Sequence, residues 1–271
     1  MSDKYTPERI TEFHAWTPKL FSFNITRPSS YRFTAGQFAR LGVEKPDGTL
    51  AWRAYSIVSA DYAPHLSFYS IAVPDGEFTS VLAGMGVGST VYLDKTNFGF
   101  LTLARFDASP VGAQKPDLWL LSSGTGLAPF ISILHELAVW EQYARVIVVH
   151  CVRSASELIY RDVIQGFSAQ AHYSDFFTDD PKRLVYVPIV TQVTQGAAAD
   201  SHTSLHARIP ALLASGELER HVGASITPTH SRVMICGNPD MVTDTRNALK
   251  AKGLAVSRSA APGQIAVENY W

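Results

Sequence analysis

The chain has 271 residues, of which 46% are apolar, and a formal net charge of −1 at pH 7. That length suits two domains, and the near-neutral charge excludes the basic excess of a nucleic-acid-binding protein. No run of about 18 apolar residues is present, so no membrane-spanning helix is expected, and the polar opening at residues 1–17 lacks a signal-peptide core.

Residues 10–105 read as short strands separated by turns. Residues 20–25 alternate apolar and polar, and residues 33–41 form a second strand-like run. Lys45-Pro46-Asp47-Gly48 is a hairpin signal before a strand at 52–58. Residues 66–73 and 90–94 are two further strands, with one short helix expected at 78–83 and a turn at 84–88. Many short strands punctuated by Gly and Pro predict a small antiparallel β-barrel. The polar stretch 108–116 reads as a linker.

Beyond it the pattern changes to alternating strand and helix. The apolar runs 118–121, 146–149, 185–190 and 233–236 have the continuous character of buried parallel strands. Pro129 suits a first helical turn, and Phe130, Ile133, Leu134 and Leu137 follow at helical spacing. Ser154-Ala155-Ser156-Glu157 is a capping box. Asn238-Pro239-Asp240 combines a cap, a first-turn proline and a first-turn acid, opening a helix that Gly253 stops after about Lys252. The fold class expected is therefore two-domain: an N-terminal antiparallel β-barrel and a C-terminal α/β doubly wound parallel sheet.

Several stretches carry chemistry. Arg53 and Tyr55 share one face of a strand, with Ser56 adjacent. A guanidinium fork suits a pyrophosphate, an aromatic ring suits a flat heterocycle, and a small hydroxyl suits a ring nitrogen. Taken alone, the four residues Arg53-Ala54-Tyr55-Ser56 fit an ordinary barrel strand better than a ligand site, because short motifs match often by chance. Ser122-Ser123-Gly124-Thr125-Gly126 follows the first parallel strand, where glycines admit a close ligand and helix N–H groups face phosphate. No Lys follows, so it is not a P-loop. Arg153, Thr191, Gln192 and Arg208 stand after later strands, and Arg is the natural partner of an adenosine 2′-phosphate. Cys236-Gly237-Asn238-Pro239 closes the last central strand. The chain ends on Glu268-Asn269-Tyr270-Trp271, with flat rings for stacking and a carboxyl able to carry a proton. Cys151 and Cys236 lack CxxC spacing, so no metal or iron–sulfur site is expected, and two reduced thiols fit the cytoplasm.

In this order these motifs resemble the ferredoxin–NADP reductase family, in its bacterial branch, from about Thr17 to Trp271. The resemblance implies an FAD-binding barrel at 1–110 and an NADP-binding domain at 116–271. It assigns Arg53, Ala54, Tyr55, Ser56, Tyr69, Ser70, Ile71, Ala72, Glu77, Phe78, Thr79, Thr125, Tyr270 and Trp271 to FAD. It assigns Arg153, Thr191, Gln192, Arg208, Gly237, Asn238, Pro239 and Asp240 to NADP(H). It implies hydride transfer from nicotinamide C4 to flavin N5, with Ser56, Tyr55, Cys236 and Glu268 at the reaction centre. One-electron release to ferredoxin or flavodoxin follows, from a monomer acting on a separate protein partner. Gln192 departs from the family's usual arginine, which weakens the expected preference for NADPH without abolishing it. A reductase serving an oxygenase, a flavin or quinone reductase on the same fold, and a non-catalytic flavin- or nucleotide-binding subunit remain open on the residues alone.

Overall fold

The computed structural model describes residues 4–73, 76–107, 114–192, 205–258 and 260–269. Tyr270, Trp271, most of the 108–116 stretch, most of the 195–206 stretch and Pro74-Asp75 lie outside the described residues. The chain folds as two compact units: Met1–Thr102 with Ala128–Glu136, and Leu103–Leu127 with Leu137–Trp271.

The first unit is built on six antiparallel strands: β1 (Tyr5–Ala15), β2 (Leu20–Thr26), β3 (Phe38–Glu44), β4 (Leu50–Ser56), β5 (His65–Ile71) and β6 (Thr90–Phe98). Their order is β4-β3-β6-β1-β2-β5. Ile10, Phe23, Ile25, Leu41, Phe68 and Leu93 fill the inward face, and each such side chain contributes about 1.5–3 kcal/mol by leaving water. The ladder stays open between β4 and β5. The chain leaving β4 nevertheless reaches β5, where the Val58 N–H donates to the Ser67 carbonyl at 2.9 Å. Two short helices belong to this unit, α1 (Thr79–Ala83) and α2 (Ala128–Leu134). Helix α2 is tied to it by the buried Ser132 hydroxyl, which donates to the Ser59 carbonyl at 2.8 Å.

Three expectations are corrected. The polar opening hides the strand β1, which lies between β2 and β6 at the middle of the sheet. Only Glu8 and Ile10 in it are buried, so backbone pairing rather than an apolar stripe makes it a strand. The run starting at Phe33 becomes a strand only at Phe38. Gly36 turns the chain first, with φ 93°, and a Cβ there would stand 2.0 Å from the Leu101 carbonyl oxygen. The helix after Pro129 stops at Leu134. Every residue of α2 is buried, whereas Leu137 is exposed and begins a separate helix, α3 (Leu137–Gln142).

The second unit holds five parallel strands: β7 (Asp117–Ser123), β8 (Val146–Val152), β9 (Leu184–Val190), β10 (Ser231–Gly237) and β11 (Ile265–Asn269). Their order is β11-β10-β7-β8-β9. The helices α3, α4 (Arg161–Gln165), α5 (Ile209–Ala214), α6 (Glu217–Val222) and α7 (Pro239–Ala251) belong to it. The capping box forms, with the Ser154 N–H and hydroxyl both donating to Glu157 Oε1, but it opens a 3-10 turn rather than a full helix. Pro188 sits within β9 because that strand is an edge, where a missing N–H breaks no ladder. Arg183 locks the outer helices by donating to the carbonyls of Trp140, Tyr143, Ala144 and Phe176.

Candidate active site

Strand order runs outward in both directions from β7, so it reverses between β7 and β10. In open parallel sheets the crevice at such a reversal, beyond the carboxyl ends of the strands, takes the ligand. The loops that leave β7 and β10 meet there. The Asn238 N–H donates to Ser123 Oγ at 3.1 Å. A Cβ on Gly126 would lie 2.4 Å from the Cys236 carbonyl oxygen, and one on Gly237 would lie 2.3 Å from Ser123 Oγ. Only glycine permits this approach of backbone to backbone. Asn238 caps α7 by accepting from the Asp240 and Met241 N–H groups at 3.0 and 3.3 Å, with Pro239 at the first helical position. Thr125 is half-buried in the first loop.

The residues expected to read a 2′-phosphate are gathered at the ends of β8 and β9. The Gln192 N–H donates to the Arg153 carbonyl at 2.9 Å, and the Thr191 N–H to the Val152 carbonyl at 3.0 Å. Leu205 bridges to Ile189, and His206 Nδ1 stands 3.0 Å from the Val190 carbonyl. That pairing brings the segment carrying Arg208 back beside the strand ends. Arg153, Gln192 and Arg208 are all exposed, as a site for a charged group requires. His206 is a neighbour that the sequence pattern did not single out.

In the first unit, Arg53 and Tyr55 lie opposite Leu41 and Ala39 and so share a face. Their surroundings differ. Arg53 and Ala54 are exposed, and among the described residues Arg53 Nη1 donates to the adjacent Trp52 carbonyl, at 3.0 Å. Tyr55 is buried among Phe23, Phe68 and Phe78, with its hydroxyl 2.8 Å from Ser70 Oγ. Burial raises its phenol to about 12, and it stays neutral. The Tyr55 ring is therefore fixed rather than mobile. Ser56 Oγ is buried with no hydrogen-bond partner among the described residues. An orphaned buried hydroxyl is costly, and a bound ligand can satisfy it. Tyr69 is buried, Ile71 and Ala72 are half-buried, and Glu77 is exposed. Phe78 points into the core, so only its backbone is offered. Thr79 Oγ1 closes the turn by bonding the Val73 backbone.

Cys236 is fully buried and pairs in register with Glu268 of β11. Glu268 Oε2 is shut from solvent without a partner among the described residues. Burial lifts its carboxyl to about 7. The unfolded chain ionises first as pH rises, so this group's contribution is full below about pH 4.5 and is lost as pH climbs through 7, by about 3 kcal/mol. Glu268→Gln is always neutral. It is expected to equal wild type near pH 4 and to exceed it by that margin at pH 8, read by urea unfolding. An identical gap at both pH values would contradict the assignment.

Residues 120–247 match the model of the oxidoreductase NAD-binding domain. The chain is 39% identical to a ferredoxin–NADP reductase of Pseudomonas aeruginosa, over 99% of this chain and 98% of that one. It is 35% identical to the flavodoxin/ferredoxin–NADP reductase of Escherichia coli, over 97% of each. A solved structure of a ferredoxin–NADP reductase from Neisseria gonorrhoeae, with FAD and NADP bound, superposes with a TM-score of 0.86 at 38% identity, covering all of both chains. With relatedness of that depth along the whole length, the chain belongs to the ferredoxin–NADP reductase family.

Proposed function

We propose that this protein is an FAD-dependent oxidoreductase exchanging electrons between NADP(H) and ferredoxin or flavodoxin. The observation that carries the reading is the end-to-end relationship to the Pseudomonas aeruginosa reductase. The chain's own residues fit both cofactors. Residues 1–110 act as the flavin module and 116–271 as the nucleotide module. Arg53 offers charge-assisted bonds to a diphosphate, and the orphaned Ser56 hydroxyl can serve a ring nitrogen. The backbone of Ala54, Ile71, Ala72 and Glu77–Thr79 lines the flavin, with Tyr55 fixed through Ser70 beside Tyr69. Tyr270 and Trp271 are assigned to cover it. Thr125 joins the flavin set through its side chain, and its backbone N–H is left to the nucleotide loop. Gly237, Asn238, Pro239 and Asp240 serve the nucleotide, with Cys236 placing the nicotinamide.

FAD, when bound, would supply the exchange between two-electron and one-electron transfer. The protein's part is to bind, orient and exclude water. Glu268, neutral below about pH 7, holds a proton at a buried oxygen and keeps uncompensated negative charge out of the site. The reading is of a cytoplasmic monomer. Among the described residues no helix is long and apolar enough to cross a membrane, and neither cysteine is in a disulfide.

The test is spectroscopic. The purified protein should be yellow, be bleached by NADPH, and reduce cytochrome c faster when ferredoxin or flavodoxin is added. A colourless protein, or rates indifferent to both carriers, would overturn the reading.

Arg208 is proposed to grip the 2′-phosphate together with Arg153 and Thr191, Gln192 supplying only a neutral contact. Arg208→Ala should raise KM for NADPH about tenfold and that for NADH less than about twofold, the loss of a charged hydrogen bond. Equal effects on both coenzymes would remove it from the 2′-phosphate site.

A further inference from the structure

His150 lies on β8 opposite Ser122 of β7 and is fully buried. Neither the flavin motif nor the nucleotide-loop motifs include it. A buried imidazole is costly unless its nitrogens are satisfied. Nε2 stands 3.2 Å from the Gly124 carbonyl oxygen, and Nδ1 stands 3.4 Å from the Tyr186 hydroxyl. A carbonyl oxygen only accepts, so Nε2 carries the hydrogen. Burial keeps the ring neutral, with its pKa down at about 4, so Nδ1 is bare and accepts from Tyr186. The bonds therefore run one way, from Tyr186 to His150 to Gly124.

The acceptor is an unusual carbonyl. Gly124 is the first residue beyond β7 and has φ 52°. A left-handed glycine leaves the peptide after it easily turned. In a planar trans peptide the C=O and the following N–H point in opposite directions. Anchoring the Gly124 oxygen on the imidazole thus aims the Thr125 N–H away from that ring. A flipped peptide would instead present an oxygen to the coenzyme's negative charge. The neighbouring ties are polar as well: Ser122 Oγ donates to the Val149 carbonyl at 2.8 Å, and Ser123 Oγ accepts from Asn238.

We propose that His150 is a positioning residue of the nucleotide loop, which with Tyr186 behind it holds the Gly124–Thr125 peptide in the one orientation that offers an N–H to the bound coenzyme. The proposal rests on the nucleotide-module reading of the second unit. It is tested on the oxidised holoenzyme by titrating NADP+ and following the flavin difference spectrum, for wild type, His150→Gln and His150→Leu. Glutamine keeps an N–H donor at the reach of Nε2, whereas leucine removes it. His150→Gln should bind within about threefold of wild type, and His150→Leu about tenfold more weakly, the scale of one lost hydrogen bond. KM for NADPH should rise in step while kcat moves far less, and FAD content should stay full. The ¹⁵N imidazole spectrum of wild type should show the Nε2–H tautomer throughout about pH 5 to 9.

Equal weakening in both variants would reduce His150 to packing and overturn the proposal, as would an unaffected His150→Leu beside a binding wild type. Should His150→Leu not fold, the imidazole spectrum decides, and an Nδ1–H tautomer overturns it. If the wild-type holoenzyme gave no difference spectrum with NADP+, the nucleotide-module reading would fail, and the proposal with it.

Discussion

Gly126→Ala is expected to lose about 1–3 kcal/mol of stability and, in the folded fraction, to bind NADP+ at least about tenfold more weakly. The reason is geometric. The added Cβ would stand 2.4 Å from the Cys236 oxygen and 2.6 Å from both the Cys236 carbonyl carbon and Gly237 Cα. All three are backbone atoms inside or at the end of β10, so no side-chain rotation relieves the clash. The two loops must separate, and that separation breaks the Asn238 to Ser123 bond. Gly124→Ala is the control, because a Cβ there meets nothing within 4 Å and the cost is the φ of 52° alone, about 1–2 kcal/mol. The measurements are urea midpoints and NADP+ titrations of both variants. A Gly126→Ala protein matching wild type in both would show that the loops can part freely, against the packing described above.

Much of this architecture was legible in the residues. Continuous apolar runs gave β7, β8, β9 and β10, because a strand covered on both faces has no polar side to alternate with. The Asn238-Pro239-Asp240 signature gave the start of α7, because caps are local chemistry. The 45–48 hairpin also formed, with Gly48 at φ 78°. Strand β1 was not legible, since its place depends on partners distant in sequence and its own side chains are mostly exposed. The motifs named the site residues but not their environments. Alternation puts Arg53 and Tyr55 on one face, yet it cannot say that one is exposed and the other packed against three phenylalanines. His150 is hidden for the same reason. In sequence it is one polar residue after a Val-rich run, and only the fold reveals that its two nitrogens connect Tyr186 with the loop after β7.

Arg53→Ala is expected to purify largely without flavin while folding normally. Arg53 is exposed, and among the described residues its guanidinium makes one hydrogen bond, to the neighbouring carbonyl, so the flavin-free fold gains little from it. A charge-assisted contact to a diphosphate is worth about 1.5–3 kcal/mol, a loss of about 10- to 150-fold in FAD affinity. The holoprotein's melting temperature should fall toward that of the apoprotein and recover with added FAD, as ligand linkage requires. Ser56→Ala separates binding from folding in the opposite sense. Its hydroxyl is buried and unsatisfied among the described residues, so removal should leave the flavin-free protein as stable or stabilise it by about 1–3 kcal/mol. In the holoprotein the same change should remove a bond and slow NADPH-dependent flavin bleaching. Dialysis against buffer, followed by flavin absorbance per mole of protein, checks the arginine. Melting with and without FAD checks the serine. Full flavin retention by Arg53→Ala would move the diphosphate elsewhere on the barrel. A Ser56→Ala protein destabilised without flavin would mean that the hydroxyl already has a partner in the flavin-free protein, and the ring-nitrogen assignment would fall.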